Sequence, residues 1–274
     1  MSTQTVDPPQ LETLAIEIDG DVATLTLDRP KAFNAMSPEL IDELATAFAY
    51  LADLAQFKAL IITGAGVAFC AGGDLNWFKK GMDVSGEFIS AGVRRGAETL
   101  HTAIVDLRRI EVPVIAAING PAAGAGFSLA LACDLRIAAE GAFFAPAYGR
   151  IGASPDGGMT YFLPRVIGPA KALELLLDDP NLPAGGALEL GLVSEVVPGD
   201  ELMDRARERA TKLAKMAPHY VKMAKRLVGV SLENSLPEHL QLERHGIADS
   251  LGTEDARLGV TAFFSGERPQ FTGR

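Results

Sequence analysis

Two glycine-rich stretches hold the residues best suited to chemistry in this sequence. Residues 64–75 read GAGVAFCAGGDL and residues 119–134 read NGPAAGAGFSLALACD, each after an apolar run. Small residues at such a turn let the backbone approach a ligand closely. Amides at a helix start are left free to meet negative charge. A phosphate cradle is the first chemistry to weigh. Gly64-Ala65-Gly66-Val67-Ala68-Phe69 lacks the third glycine of a dinucleotide fingerprint, and no Gly-Lys-Ser/Thr follows either stretch. Gly126-Phe127-Ser128-Leu129-Ala130 is not the GxSxG of a nucleophile elbow. Glycines that only permit tight strand-to-helix packing would look the same in a single turn; two turns of this detail ask for more. One acid, Asp156, stands in Ser154-Pro155-Asp156-Gly157-Gly158. Taken alone it reads equally as an Asp-Gly turn or as a cap for a helix starting near Gly157.

The elements that must position these turns follow from hydrophobic spacing. LAIEI (14–18) and VATLTL (22–27) predict two strands around Asp19-Gly20. Ser37 with Pro38 predicts a helix start, with Leu40, Ile41, Leu44 and Phe48 on one face. ALIIT (59–63) and VPVIAAI (112–118) predict buried strands, residues 86–108 a long helix, and LRIAA (135–139) and AFFAP (142–146) further strands. This order predicts an α/β fold without hairpin connections past the first pair. Residues 200–265 predict helices only. The expected organisation is a loose leader over 1–13, an α/β core over 14–199 and a helical region over 200–274.

Composition narrows the function classes. The chain has 274 residues, 48% hydrophobic, and a formal net charge of −10. Such a charge disfavours nucleic-acid binding, while a small anionic ligand needs only a local basic patch. No apolar run approaches about 20 residues, so no membrane span is predicted. The two cysteines, Cys70 and Cys133, make no disulfide scaffold and fit a reducing, cytoplasmic compartment. Both are expected to be small buried fillers. The four histidines show no ligand spacing with them, so no metal site is expected. The histidines are expected on or near helix surfaces, with only His101 placed to approach a pocket. The Lys and Arg residues of 205–226 are expected to form a solvated helix face.

At this level of detail the motifs resemble a known family. Ala68-Phe69-Cys70-Ala71-Gly72-Gly73-Asp74-Leu75 resembles the AFxAGxDL signature of the enoyl-CoA hydratase/isomerase (crotonase) family. Residues 119–134 resemble its NGxAxGxGxxLALxCD signature, and RPKAFNAM (29–36) its RPxxxNAL turn. IGASPDGGMTYFLPR (151–165) is similar to its LGxxPxxGGTxxLPR stretch, and the tail EDARLGVTAFFSGERPQF to its closing helix. The resemblance runs in order from about residue 14 to 271. It implies a spiral of ββα units with a helical C-terminal region that trimerises, trimers often pairing into hexamers.

The resemblance also implies chemistry. An acyl-CoA thioester is the substrate, coenzyme A enters only as part of it, and no other cofactor is expected. By motif position, the backbone amides of Gly73 and Ala125 form an oxyanion hole for the enolate; one such donor contributes about 3 kcal/mol. Lys31, Ala32, Phe33, Ala71, Asp74 and Leu75 match positions that hold CoA, with Gly124 beside the second donor. Lys31 reads equally as a solvated turn lysine, and Asp74 as a cap for the helix after it. The segment 74–86, with Trp77, reads as mobile and as a wall of the acyl pocket. Hydratases of the family use two glutamates. Their positions here hold Ser128 and Tyr148, neither of them a carboxylate. Asp156 instead resembles the single acid of the isomerase branches, and a dehalogenase branch places a nucleophilic Asp there. Double-bond migration needs one carboxylate, so an isomerase with Asp156 as proton shuttle is expected. Ser128 and Tyr148 then line the pocket. An atypical hydratase, an Asp156 nucleophile and a non-catalytic acyl-CoA-binding scaffold are the alternatives.

Overall fold

A computed structural model describes residues 8–54 and 56–274. The chain opens with β1 (Leu14–Asp19) and β2 (Val22–Leu27), followed by α1 (Pro38–Asp53), β3 (Ala59–Gly64), α2 (Leu75–Val84) and α3 (Gly86–Arg109). Next come β4 (Val114–Ile118), β5 (Ala122–Ala123), α4 (Ala125–Ala132), β6 (Leu135–Ala139) and β7 (Phe143–Ala145). Then α5 (Met159–Ile167), α6 (Pro169–Asp178), β8 (Leu182–Pro183), α7 (Ala184–Glu189) and β9 (Glu195–Val197) complete the mixed part. Helices α8 (Leu202–Leu213), α9 (Pro218–Val230), α10 (Leu236–Leu251) and α11 (Glu254–Ser265) follow.

The strands form one six-stranded sheet in the order β1-β2-β3-β4-β6-β9, antiparallel only between β1 and β2. In β2 the period of two is visible: Ala23, Leu25 and Leu27 are fully buried and alternate with Val22, Thr24 and Thr26. The central β3 and β4 are buried along their whole length, as parallel strands covered on both faces must be. A second, small sheet runs β5-β7-β8. Two isolated bridges, Met36 with Gly73 and Cys70 with Ala122, extend its stacking to earlier turns of the chain. Each turn of the chain thus leaves the large sheet and lays a short segment beside the previous one, which is the expected ββα spiral.

Two motif asparagines lock these turns. Asn34, buried and at φ 55°, accepts from Arg29 N and donates to the carbonyls of Ala65 and Ala68. Asn119 donates to the carbonyls of Gly66 and Ala68 and accepts from Gly64 N. The loops that carry the glycine-rich stretches are therefore tied to each other through side chains.

Several expectations need correction. Residues 1–7 of the expected leader lie outside the described residues, but its last part is held: the Glu12 and Thr13 amides donate to Glu43, and Leu11 packs on the core. The segment expected to be mobile is α2, capped by Asp74 and packed on α3, with Gly81 against Ile89 and Trp77 against Gly92. Lys225 is not solvated. Its Nζ lies 2.7 Å from Asp134 and donates to the carbonyls of Ile110 and Val112. Burial lowers its pKa, and Asp134 opposes that shift. His219 lies half-buried on α9, near the surface as expected, with its Nε2 buried and without a partner among the described residues. The division expected near 199 coincides with no break in packing, because Leu202, Ala206, Ala210 and Ala214 of α8 and the residue after it belong to the core. Cys70 and Cys133 are buried, and burial pushes both thiols up to about 12.

Candidate active site

The two glycine-rich turns meet. A Cβ on Gly72 would lie 2.8 Å from the Ala123 carbonyl and 3.4 Å from Gly124 Cα, so the two backbones touch. Gly124 holds φ 50° and ψ −125°, a conformation open to glycine alone, and its amide donates to Ala145 O. The next residue, Ala125, opens α4, where helix geometry leaves the amide without an intrahelical acceptor. On the other segment, Met36 N donates to Gly72 O and Asp74 N to Met36 O. Gly73 between them has its own amide turned away from Met36. Among the described residues, neither the Gly73 nor the Ala125 amide has an acceptor in the protein. Two amides without an acceptor among the described residues thus stand on adjoining stretches of backbone.

Gly73 is fixed from below. A Cβ there would come within 2.8 Å of the Phe78 ring, which sequence reasoning did not single out. Asp74 caps α2 by accepting from the Asn76 and Trp77 amides, and Arg29 holds its other oxygen at 3.2 Å. The expected CoA-binding residues lie beside this edge. Lys31 and Ala32 are in a 3-10 turn, and the Phe33 carbonyl accepts from Ala71 N. Lys31, Phe33, Ala71 and Leu75 are exposed.

The acid side of the site is built from α3, α4 and the turn before α5. Asp156 Oδ1 accepts from Gly157 N at 2.6 Å and lies 2.5 Å from His101 Nε2. Its main-chain carbonyl accepts from Ser128 Oγ at 2.7 Å and from the Tyr148 hydroxyl at 3.1 Å. The two hydroxyls are themselves 3.3 Å apart. Burial pushes the Tyr148 phenol up to about 12, against the pull of its bond to Ser128. The Tyr148 loop is clamped by Asp179, which accepts from Ala147 N at 2.7 Å and from Arg150 N at 3.2 Å while Ala147 holds φ 60°. Neither Asp179 nor the depth of the His101 contact carries a signal in the sequence, since both depend on how distant elements cross.

The enoyl-CoA hydratase/isomerase family model matches residues 17–274. The chain belongs to this family of enzymes. Within the enoyl-CoA hydratase/isomerase family it is 36% identical over 265 residues to the 1,2-epoxyphenylacetyl-CoA isomerase of Escherichia coli, covering 96% of this chain and 100% of that one. It is 33% identical to the short-chain-enoyl-CoA hydratase of Clostridium acetobutylicum, over 93% of this chain and 95% of the relative. The crystal structure of enoyl-CoA hydratase from Bacillus anthracis superposes with a TM-score of 0.89 at 33% identity, covering 96% of this chain and 100% of that one. The crotonase fold with its C-terminal helices is therefore established for this chain. Both hydratases and isomerases stand among the relatives, so the choice between those reactions rests on the residues of the site.

Proposed function

We propose that this enzyme moves a double bond of an enoyl-CoA from the 3 to the 2 position through a thioester enolate. The observation that carries the reading is the Asp156 carboxylate held beside Ser128 and Tyr148. Neither Ser128 nor Tyr148, at the positions of the two hydratase glutamates, is a carboxylate, and both donate their hydroxyls to the Asp156 carbonyl. A phenol pushed to about 12 is no base at neutral pH. Asp156 takes the proton from C2, and the C–H electron pair moves toward the thioester oxygen. The Gly73 and Ala125 amides receive the charge of the dienolate. The proton on Asp156 then goes to C4, and the electrons return as the C2=C3 bond. One acid suffices because the same proton leaves and re-enters. Self-association belongs to the same proposal. Leu236, Leu251, Phe263 and Phe264 stay exposed on α10 and α11, and a trimer or hexamer would cover such a surface.

The test is kinetic. Purified protein converts a 3-enoyl-CoA to the conjugated 2-enoyl-CoA, read by thioester absorbance, and Asp156→Asn loses at least about 10²-fold in kcat. Wild-type rates in that variant would remove Asp156 from the mechanism. A hydratase is the second reading, favoured by His101, which supplies another proton-handling group beside Asp156. Hydration of crotonyl-CoA faster than isomerisation would decide for it. Tight acyl-CoA binding without turnover across a broad panel would point to a scaffold.

A further inference from the structure

The two oxygens of Asp156 are not equivalent. Oδ1 meets both Gly157 N and His101 Nε2, whereas Oδ2 has no hydrogen-bond partner among the described residues. With the carboxyl ionised, Nε2 must carry the hydrogen of this contact, since two lone pairs at 2.5 Å would repel. The donors come from different elements: Gly157 from the turn itself, His101 from α3. Leu100, the neighbour of His101, also packs against this turn, so α3 is docked there and the imidazole does not merely reach across. The Ser128 and Tyr148 hydroxyls fix the Asp156 main chain but do not touch its carboxylate. Without His101, one amide from the adjacent residue would be the only group among the described residues holding the side chain.

We infer that His101 is a positioning residue, whose Nε2–H pins Oδ1 and leaves Oδ2 as the one basic oxygen turned to the acyl chain. The inference rests on the reading of Asp156 as the C2 base. His101 passes no proton to substrate; it restricts the rotation of the carboxylate about χ2. Misplacing a reacting group by about 1 Å costs roughly 10²-fold in rate, so loss of this contact affects turnover and not substrate capture.

The experiment uses the whole enzyme with two variants and two readouts. His101→Leu removes the donor, and His101→Gln places an amide N–H where Nε2 stood. The side chain of His101 is 55% exposed, so neither change is expected to disturb the fold, and thermal melts check this. The first readout is isomerisation of a 3-enoyl-CoA. The second is deuterium uptake at C2 of a saturated acyl-CoA in D2O, which reads the base without requiring a double bond. For both, His101→Leu is expected to lower the rate about 10–10²-fold with KM within about twofold. His101→Gln is expected to recover most of the loss. A wild-type exchange rate in His101→Leu overturns the inference, and so does a glutamine variant as slow as the leucine one. Exchange that follows this pattern without any isomerisation would sink the proposed reaction and leave the positioning role standing. A wild-type protein that exchanges nothing would remove both.

Discussion

At the residue scale the site is an economy of main-chain donors and one acid. Ala125 offers a clean way to delete a donor. It is the first residue of α4, where proline is tolerated because the helix makes no use of that amide. Ala125→Pro is therefore expected to keep the fold and lose about 10²–10³-fold in kcat. Circular dichroism and steady-state kinetics on the same preparation check both halves. Unchanged kcat would exclude the Ala125 amide as a donor. Asp156, Ser128 and Tyr148 were legible in the sequence because motif spacing fixes their positions in the turns. The hydrogen bonds that join them were not, since Tyr148 reaches Asp156 only through a loop shaped by Asp179. His101 was legible as a neighbour of the pocket and no further, because its contact depends on the placement of α3 against the α5 turn.

At the element scale, buried strands announce themselves by apolar runs, and β3, β4 and β6 fall where those runs lie. The two-residue β5 and β8 have no such signature; neighbouring chain creates them. Helix α2 was obscured by Gly81 within it and Gly86 just beyond it, yet Asp74 satisfies two first-turn amides and starts it. Helix α1 also anchors the entry to β1. Burial pushes the Glu43 carboxyl up, but the Thr13 hydroxyl and the amides of Glu12, Thr13 and Leu14 outweigh it and leave its pKa lowered. A carboxyl with a lowered folded pKa stabilises fully above its unfolded value and loses that contribution as pH falls through the folded one. The urea midpoint of Glu43→Gln is thus expected below wild type at pH 7, the gap closing as pH drops below about 4. A gap that stays constant with pH would show that ionisation of Glu43 is irrelevant.

At the scale of the whole molecule, the helical region divides in two. Helix α8 completes the core, and Lys225 of α9 reaches the carbonyls before β4 and the carboxylate of Asp134. Beyond it, α10 and α11 bury little. Phe263 and Phe264 are 81% and 83% exposed, in edge-to-face contact with each other. If copies of the chain cover this face, light scattering will give a multiple of 28.9 kDa, and the pair Phe263→Glu and Phe264→Glu will give monomer. A monomeric wild type at micromolar concentration would sink that reading. The sequence made the helices plain but not which of them belong to the core, because that depends on where α8 docks. The bridges from Met36 to Gly73 and from Cys70 to Ala122 carry a consequence for refolding. They join stretches far apart along the chain, and contacts of that kind close late. Helical circular dichroism will therefore return before turnover does, and catalysis becomes a clock for the last step of assembly.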